Sequence, residues 1–210
     1  EPLQYILGSQ EFCGLEFAVT PAVLIPRHDS ELLVEEALRR AGATCRILDI
    51  GLGSGCIAVA LAARLPGAEV CGVDNSPEAL AVARDNAERN GVRLTIFAGS
   101  LFEPVPGERF DIIVSNPPYI PTGDLAGLEP EVREFEPHAA LDGGVDGLDF
   151  YRLIVPETVG HLQPGGWLLV EVGVDQAAAV KELFAVGNYA DIFAARDAGG
   201  VERVVGGRLL

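Results

Sequence analysis

The sequence contains no methionine, a single tryptophan and only one lysine, Lys181. It has no apolar run approaching the roughly 18 to 20 residues that a membrane-spanning helix requires. Its first residues, EPLQYILG, have neither the basic start nor the apolar stretch of a secretory signal. No membrane association is expected, and a cytoplasmic location is. Positive charge is scarce: 15 Lys and Arg face 31 Asp and Glu, for a formal charge of -16. That balance opposes attraction to a phosphate backbone, so direct nucleic-acid binding is not expected, and small ligands or basic protein partners are favoured. The four cysteines, at 13, 45, 56 and 71, form no CxxC pair and no zinc-like spacing with histidine. They read as small apolar residues in a reduced protein, and no metal centre is predicted. The lack of Met even at position 1 leads to the expectation of a fragment or a processed chain.

What is present is an alternation. The runs CRILDI (45–50), EVCGVD (69–74), LTIFA (94–98), FDIIVS (110–115) and WLLVEVG (167–173) read as strands, most of them apolar on both faces. Between them lie the helical patterns CIAVALAARL, SPEALAVARDNAERN, a segment near DFYRLIVPETVGHL, and DQAAAVKELF. Ser76-Pro77 is a good helix start and Asn90-Gly91 a good stop. Strands alternating with helices of this length imply right-handed crossovers and a doubly wound, mostly parallel Rossmann-like α/β fold. Two stretches break the pattern. EFCGLEFAVTPAVLIP alternates around Gly14 and reads as a β-hairpin, followed by a helix at about 30–40. The division expected is an N-terminal hairpin and linker over 1–28 and a main domain over 29–210. The second exception is an insertion at about 120–148, rich in Gly, Pro and acids, where a crossover should be short; long insertions of this kind are usually functional.

ILDIGLGSGCIA puts Asp49 at the end of the first long strand and Gly51, Gly53 and Gly55 in the turn that follows. Glycines there let a ligand approach the amides at a helix start. The second strand ends in Asp74, placed where a carboxylate can accept from two ribose hydroxyls. S-adenosylmethionine and NAD both carry an adenosine ribose, so this turn admits either.

SNPPYI separates them. In open α/β sheets the ligand crevice lies beyond the carboxyl ends of the strands, which puts Asn116 beside the glycine turn. Pro117 and Pro118 lack N–H groups, keep their carbonyls and stiffen the backbone. The turn therefore offers two acceptors, the Asn116 side-chain oxygen and a backbone carbonyl assigned to Pro117, beside the Tyr119 ring. Two acceptors in one plane suit a planar NH2 group, whose nitrogen is a poor nucleophile until it is oriented and its lone pair localised. The sulfonium methyl of S-adenosylmethionine is the natural electrophile, and hydride transfer needs no such clamp.

On these motifs the chain resembles the PrmC/HemK protein-(glutamine-N5) methyltransferases. The similarity runs over essentially the whole chain through PLQYILG, FxGLxFxVTPxVLIPR, ILDIGxGSGCIA, GVDxSPEAL, SNPPYIP, EPHAALDGGxDGLDFYR, LQPGGWLLVEVG and AGGVERVVGGR. The resemblance implies a class I S-adenosylmethionine-dependent methyltransferase acting on the GGQ glutamine of a peptide chain release factor, with S-adenosylhomocysteine as product. It places the donor on Asp49, Gly51, Gly53, Gly55, Asp74, Ser100, Leu101 and Asn116, and the glutamine amide on Asn116, Pro117, Pro118 and Tyr119. Arg27 is a candidate for the donor carboxylate, the substrate loop or a structural ion pair. Family members also carry a helical domain ahead of PLQYILG. Three departures stand out: His28, Asp29 and Ser30 where the family usually has Pro and Thr or Glu-Thr, Leu52 for the commoner Thr, and Ser100 for the usual Asp.

Alternatives are methylation of a ribosomal-protein glutamine, methylation of an exocyclic amine in nucleic acid, and a non-catalytic nucleotide-binding or nicotinamide-dependent protein on a similar fold. His28 and His138 read as surface groups, and His161 as a helix C-terminal partner. The eight acids of the insertion (Asp124, Glu129, Glu131, Glu134, Glu136, Asp142, Asp146 and Asp149) are expected to steer a basic partner.

Overall fold

The computed structural model describes residues 1–210. A short helix α1 (Leu3–Leu7) precedes the expected hairpin, β1 (Ser9–Phe12) with β2 (Leu15–Ala18), and α2 (Glu31–Arg40) follows. The alternating region then runs β3 (Arg46–Ile50), α3 (Cys56–Arg64), β4 (Glu69–Asp74), α4 (Pro77–Arg89), β5 (Thr95–Ala98) and β6 (Phe110–Ser115). The insertion holds α5 (Pro130–Phe135) and short 3-10 turns. It leads into α6 (Asp149–Thr158), β7 (Leu162–Glu171), α7 (Ala177–Val186), β8 (Tyr189–Arg196) and β9 (Glu202–Leu209).

Seven strands form one sheet in the order β5-β4-β3-β6-β7-β9-β8. The first five are parallel, and β9 inserts antiparallel between β7 and β8. Side chains alternate between two cores, as the pleat requires. Ile47, Ile112 and Val114 join α2, α3 and α4 on one face, whereas Leu48, Ile50 and Ile113 join α6 and α7 on the other. The hairpin is part of this packing: Phe12 and Phe17 are fully buried in the first core, edge to face.

The helices begin where their sequences allow. Ser76 Oγ accepts from the Ala79 amide at 3.1 Å, with Pro77 in the first turn of α4. Gly55 enters α3 at φ 79°, and a Cβ there would meet Ala83 of α4 at 3.1 Å, so this glycine serves both the turn and the contact between helices. The final antiparallel pair, β8 and β9, is absent from the strands expected above. VERVVGGRLL carries two glycines and little apolar alternation, and Gly206 is required because a Cβ would strike Leu169 and Phe193 at 2.5 Å.

The insertion is not structureless. Ile120 forms an isolated bridge with Asp142, the Ile120 amide donates to Leu141, and the Gly143 amide donates to Ile120. The segment therefore folds back on the turn it follows. His161 is also placed differently from expectation. α6 ends at Thr158, so His161 caps no helix; its ring stacks on Phe102 at 4.6 Å and its Nδ1 lies 3.1 Å from the Glu108 carbonyl.

Candidate active site

The chain runs from β3 outward through β4 and β5, then returns to β6 on the other side of β3. This reversal opens a crevice at the carboxyl ends of β3 and β6. Register decides which residues line it. Ile50 pairs with Val73 and Ser115, and Ser115 with Val170. The next residues along the four parallel strands, Asp74, Gly51, Asn116 and Glu171, therefore stand in a row at the strand ends. The Ser115 hydroxyl donates to the Ile50 carbonyl at 2.8 Å and ties β6 to β3 at the point of divergence.

Gly51, Gly53 and Gly55 all have left-handed backbones, with φ of 77°, 55° and 79°. The space beside Gly51 is open, and only the Gly51 carbonyl, 3.9 Å away, lies near a Cβ built on Gly53. These positions form an uncovered cradle. Asp74 holds its rim: one carboxylate oxygen accepts from the Gly53 amide at 2.8 Å and the other from the Ser76 amide at 2.9 Å. Leu52 turns away from the crevice into the core, filling the space above Gly72, which explains how Leu is accommodated there.

Under the cradle, Asp49 is 1% exposed and neither carboxylate oxygen has a hydrogen-bond partner. Burial pushes its carboxyl well above the usual carboxylate range, and the negative charge of Asp74 adds to the effect. An orphaned buried carboxylate beneath an open glycine turn fits a cationic ligand that carries a ribose, as S-adenosylmethionine does. Ser100 and Leu101 lie in the turn after β5; Ser100 is exposed, and Leu101 has φ 49°.

At the end of β6, Asn116 Nδ2 donates to the Ser30 hydroxyl at 3.1 Å, and Asn116 Oδ1 receives nothing from the protein. The Pro117 carbonyl is likewise free of any protein donor. Tyr119 directs its hydroxyl to Glu171 Oε1 at 3.5 Å. The turn is held from behind by residues that the motif itself does not reveal. Gln176 Nε2 donates to the Tyr119 carbonyl at 2.8 Å, while Gln176 Oε1 accepts from the Gly173 amide at 2.9 Å. A Cβ on Gly143 would lie 2.7 Å from Tyr119 Cα, and one on Gly147 would lie 2.3 Å from the Tyr119 carbonyl oxygen. Gly143 and Gly147 of ALDGGVDGL are thus the contact surface for NPPY.

Glu171 was not singled out in the sequence. The only signal for it is an acid closing an otherwise apolar buried strand. It is 2% exposed, and burial raises its carboxyl to about 7 against the opposing pull of the Ser30 hydroxyl and Arg203. Burial likewise raises the Tyr119 phenol, with the Glu171 charge adding to it.

Arg27 pairs with Glu136, which is 6% exposed and also accepts from the Ile25 amide at 3.2 Å. In this structure Arg27 therefore links the segment before α2 to the insertion. The same pairing removes Glu136 from the surface acids expected to steer a partner. Asp142 is taken up by Thr122 and the Gly144 amide, and Asp146 by Arg152. His138 is exposed. His28 is exposed and sits 3.2 Å from Glu31, and with Glu11 these two could share a cation. Glu31 is already bonded to the Cys13 amide and Glu11 to the Gly14 amide, so both carboxylates serve the hairpin corner.

The sheet order and the cradle at its reversal define a class I S-adenosylmethionine-dependent methyltransferase fold. The crystal structure of a methyltransferase from Pyrococcus furiosus superposes with a TM-score of 0.70 at 20% identity, covering 93% of this chain and 89% of that one, a likeness of fold. A family model described as the methyltransferase small domain matches residues 28–126. A release factor glutamine methyltransferase from Geobacter sulfurreducens is 66% identical across all of this chain and 74% of its own length. Another, from Moorella thermoacetica, is 52% identical over 90% of this chain and 68% of its own. The chain belongs to the release factor glutamine methyltransferase family. No helix is long and apolar enough to cross a membrane.

Proposed function

We propose that this chain methylates the side-chain amide nitrogen of a protein glutamine, that of the GGQ loop in a peptide chain release factor, in the cytoplasm. The observation that carries the reading is the pair of open acceptors, Asn116 Oδ1 and the Pro117 carbonyl, on a turn without freedom to reorient. A primary amide has two N–H donors in one plane, and two fixed acceptors take both. Holding those protons sets the nitrogen lone pair toward the cradle side and favours its localisation. Rate acceleration then rests on positioning and electrostatics. Tyr119 supplies a flat face for the amide; its hydroxyl donates to Glu171 Oε1 at 3.5 Å and its backbone carbonyl accepts from Gln176 Nε2 at 2.8 Å.

Gly51, Gly53, Asp74 and Asp49 are the residues that would hold S-adenosylmethionine, with Ser100 and Leu101 beside the adenine. When bound, the donor supplies an electrophilic sulfonium methyl and leaves as S-adenosylhomocysteine. The amide nitrogen that accepts the methyl loses one proton, which passes to solvent.

The test is label transfer from methyl-labelled S-adenosylmethionine to a release factor with an intact GGQ, to the same factor with that Gln replaced, to ribosomal protein, and to duplex DNA. Label on the intact factor alone is expected. Label on ribosomal protein or on DNA instead would refute the substrate assignment. Asn116→Ala is expected to lower kcat at least a hundredfold while donor binding by calorimetry persists.

A further inference from the structure

A glycine-rich turn is free to bend unless something outside it takes up that freedom. Gly53 and Gly55, both left-handed, flank Ser54, and a peptide group beside glycine can rotate with little steric resistance. The peptide joining Ser54 to Gly55 is nevertheless gripped at both ends. Its N–H donates to the Leu52 carbonyl at 2.8 Å, and its carbonyl accepts from Asn86 Nδ2 at 2.9 Å. Asn86 belongs to α4, 32 residues further along the chain, and is fully buried.

What aims the Asn86 amide is the end of β2. The Ala18 N–H donates to Asn86 Oδ1 at 2.7 Å, and the Ala18 carbonyl accepts from Nδ2 at 3.0 Å. A reversed amide would set its NH2 against an N–H and its oxygen against two carbonyls, so this orientation is the one that satisfies every partner. Ala18 is 68 residues away from Asn86 in the chain. Arg89 of the same helix also reaches β2, at Glu16, but as an exposed ion pair that does not continue to the glycine turn.

Resting on the reading of this turn as the seat of S-adenosylmethionine, we propose that Asn86 is a positioning residue that locks the turn before the donor arrives and makes the N-terminal hairpin part of the donor site's frame. Asp74 fixes the turn through the Gly53 amide, and Asn86 fixes it through the Ser54 carbonyl. With both in place the left-handed backbones of Gly53 and Gly55 keep the cradle open. Without Asn86 the peptide rotates among several orientations, and donor binding must first restore one of them. That cost falls on donor affinity and not on methyl transfer from the bound donor.

The test begins with the ligand-free chain. Hydrogen exchange by NMR is followed at the Gly55 amide and, as a measure of global opening, at the Leu48 amide of β3. In Asn86→Ala the Gly55 amide is expected to exchange at least tenfold faster relative to Leu48 than in the wild type, and Arg89→Ala is expected to leave that ratio unchanged. Calorimetry with S-adenosylmethionine is expected to show donor affinity at least tenfold weaker in Asn86→Ala, with kcat at saturating donor within about twofold of wild type. Should Asn86→Ala not fold, Asn86→Asp at pH 8 replaces it: the carboxylate keeps the shape and the bond from the Ala18 N–H but has no proton for Ser54. Gly55 exchange that only follows Leu48 would show a merely structural role and overturn the proposal. So would donor affinity near wild type, or a loss confined to kcat. If the wild type does not bind S-adenosylmethionine, the donor reading of the turn fails, while the exchange at Gly55 still decides whether Asn86 locks it.

Discussion

Gln176 donates its side-chain amide to the backbone carbonyl of Tyr119 at 2.8 Å, so a residue beyond β7 fixes the turn that ends β6. Gly147 completes the support, since its missing side chain leaves room for that same carbonyl. Gly147→Ala would add a clash to a left-handed backbone at φ 75°. The expected outcome is a loss of kcat of at least tenfold with donor affinity near wild type, read by turnover and calorimetry. Gln176→Ala should act in the same direction and more mildly. Unchanged kcat in Gly147→Ala would show that NPPY does not depend on this packing.

Asp49→Asn should trade stability against ligand binding. The Asp49 carboxyl is raised by burial, so the folded state holds its proton at pH values where the unfolded chain has released it. Its contribution to stability is therefore present at low pH and lost as pH rises through the folded value. The variant lacks this slope, and its melting temperature is expected to exceed that of the wild type by an amount that grows from pH 4 upward. Donor affinity should fall about tenfold to a hundredfold, the range of one hydrogen bond to a charged group. In the wild type, S-adenosylmethionine binding should release protons, detected by calorimetry in buffers of different ionisation enthalpy, and Asp49→Asn should reduce that release.

Arg27→Ala leaves Glu136 buried without its partner. Breaking a fully buried pair costs about 3–5 kcal/mol, and the partial exposure of Arg27 brings the expected loss to roughly 1–3 kcal/mol. Adding Glu136→Gln should recover much of it in denaturant unfolding. If Arg27 serves the donor carboxylate instead, the single variant would lose donor affinity and the second change would not restore it.

Asp124, Glu129 and Glu131 remain exposed on the insertion after the other acids have found partners or been buried. Neutralising all three should slow association with a release factor several-fold at low salt and flatten its dependence on ionic strength, measured by stopped-flow. An unchanged salt dependence would remove the insertion from any steering role.

The strands, the crossovers and the crevice were legible because each is a local pattern. A buried parallel strand is a continuous apolar run, and a turn that needs left-handed backbone shows itself as glycine, at Gly51, Gly53 and Gly55. NPPY was legible for the same reason, since two prolines and an amide within four residues carry their geometry with them. The last antiparallel pair escaped because its glycines answer to residues distant in sequence, Gly206 to Leu169 of β7 and Phe193 of β8, and Gly207 to Phe184 of α7.

Only the tertiary structure brought Ser30, Glu171 and Gln176 to Asn116 and Tyr119. Their contacts come from sheet register and from an insertion folded back on the turn, and neither leaves a periodic trace in the chain. It likewise placed Arg27 on Glu136, which the sequence had left open among three roles. The sequence by itself determined the fold class, the open glycine turn and the stiff NPPY turn with its free acceptors, because their geometry is confined to neighbouring residues. The support of that turn was decided in three dimensions, because Ser30, Glu171 and Gln176 meet Asn116 and Tyr119 only through sheet register and the packing of distant segments.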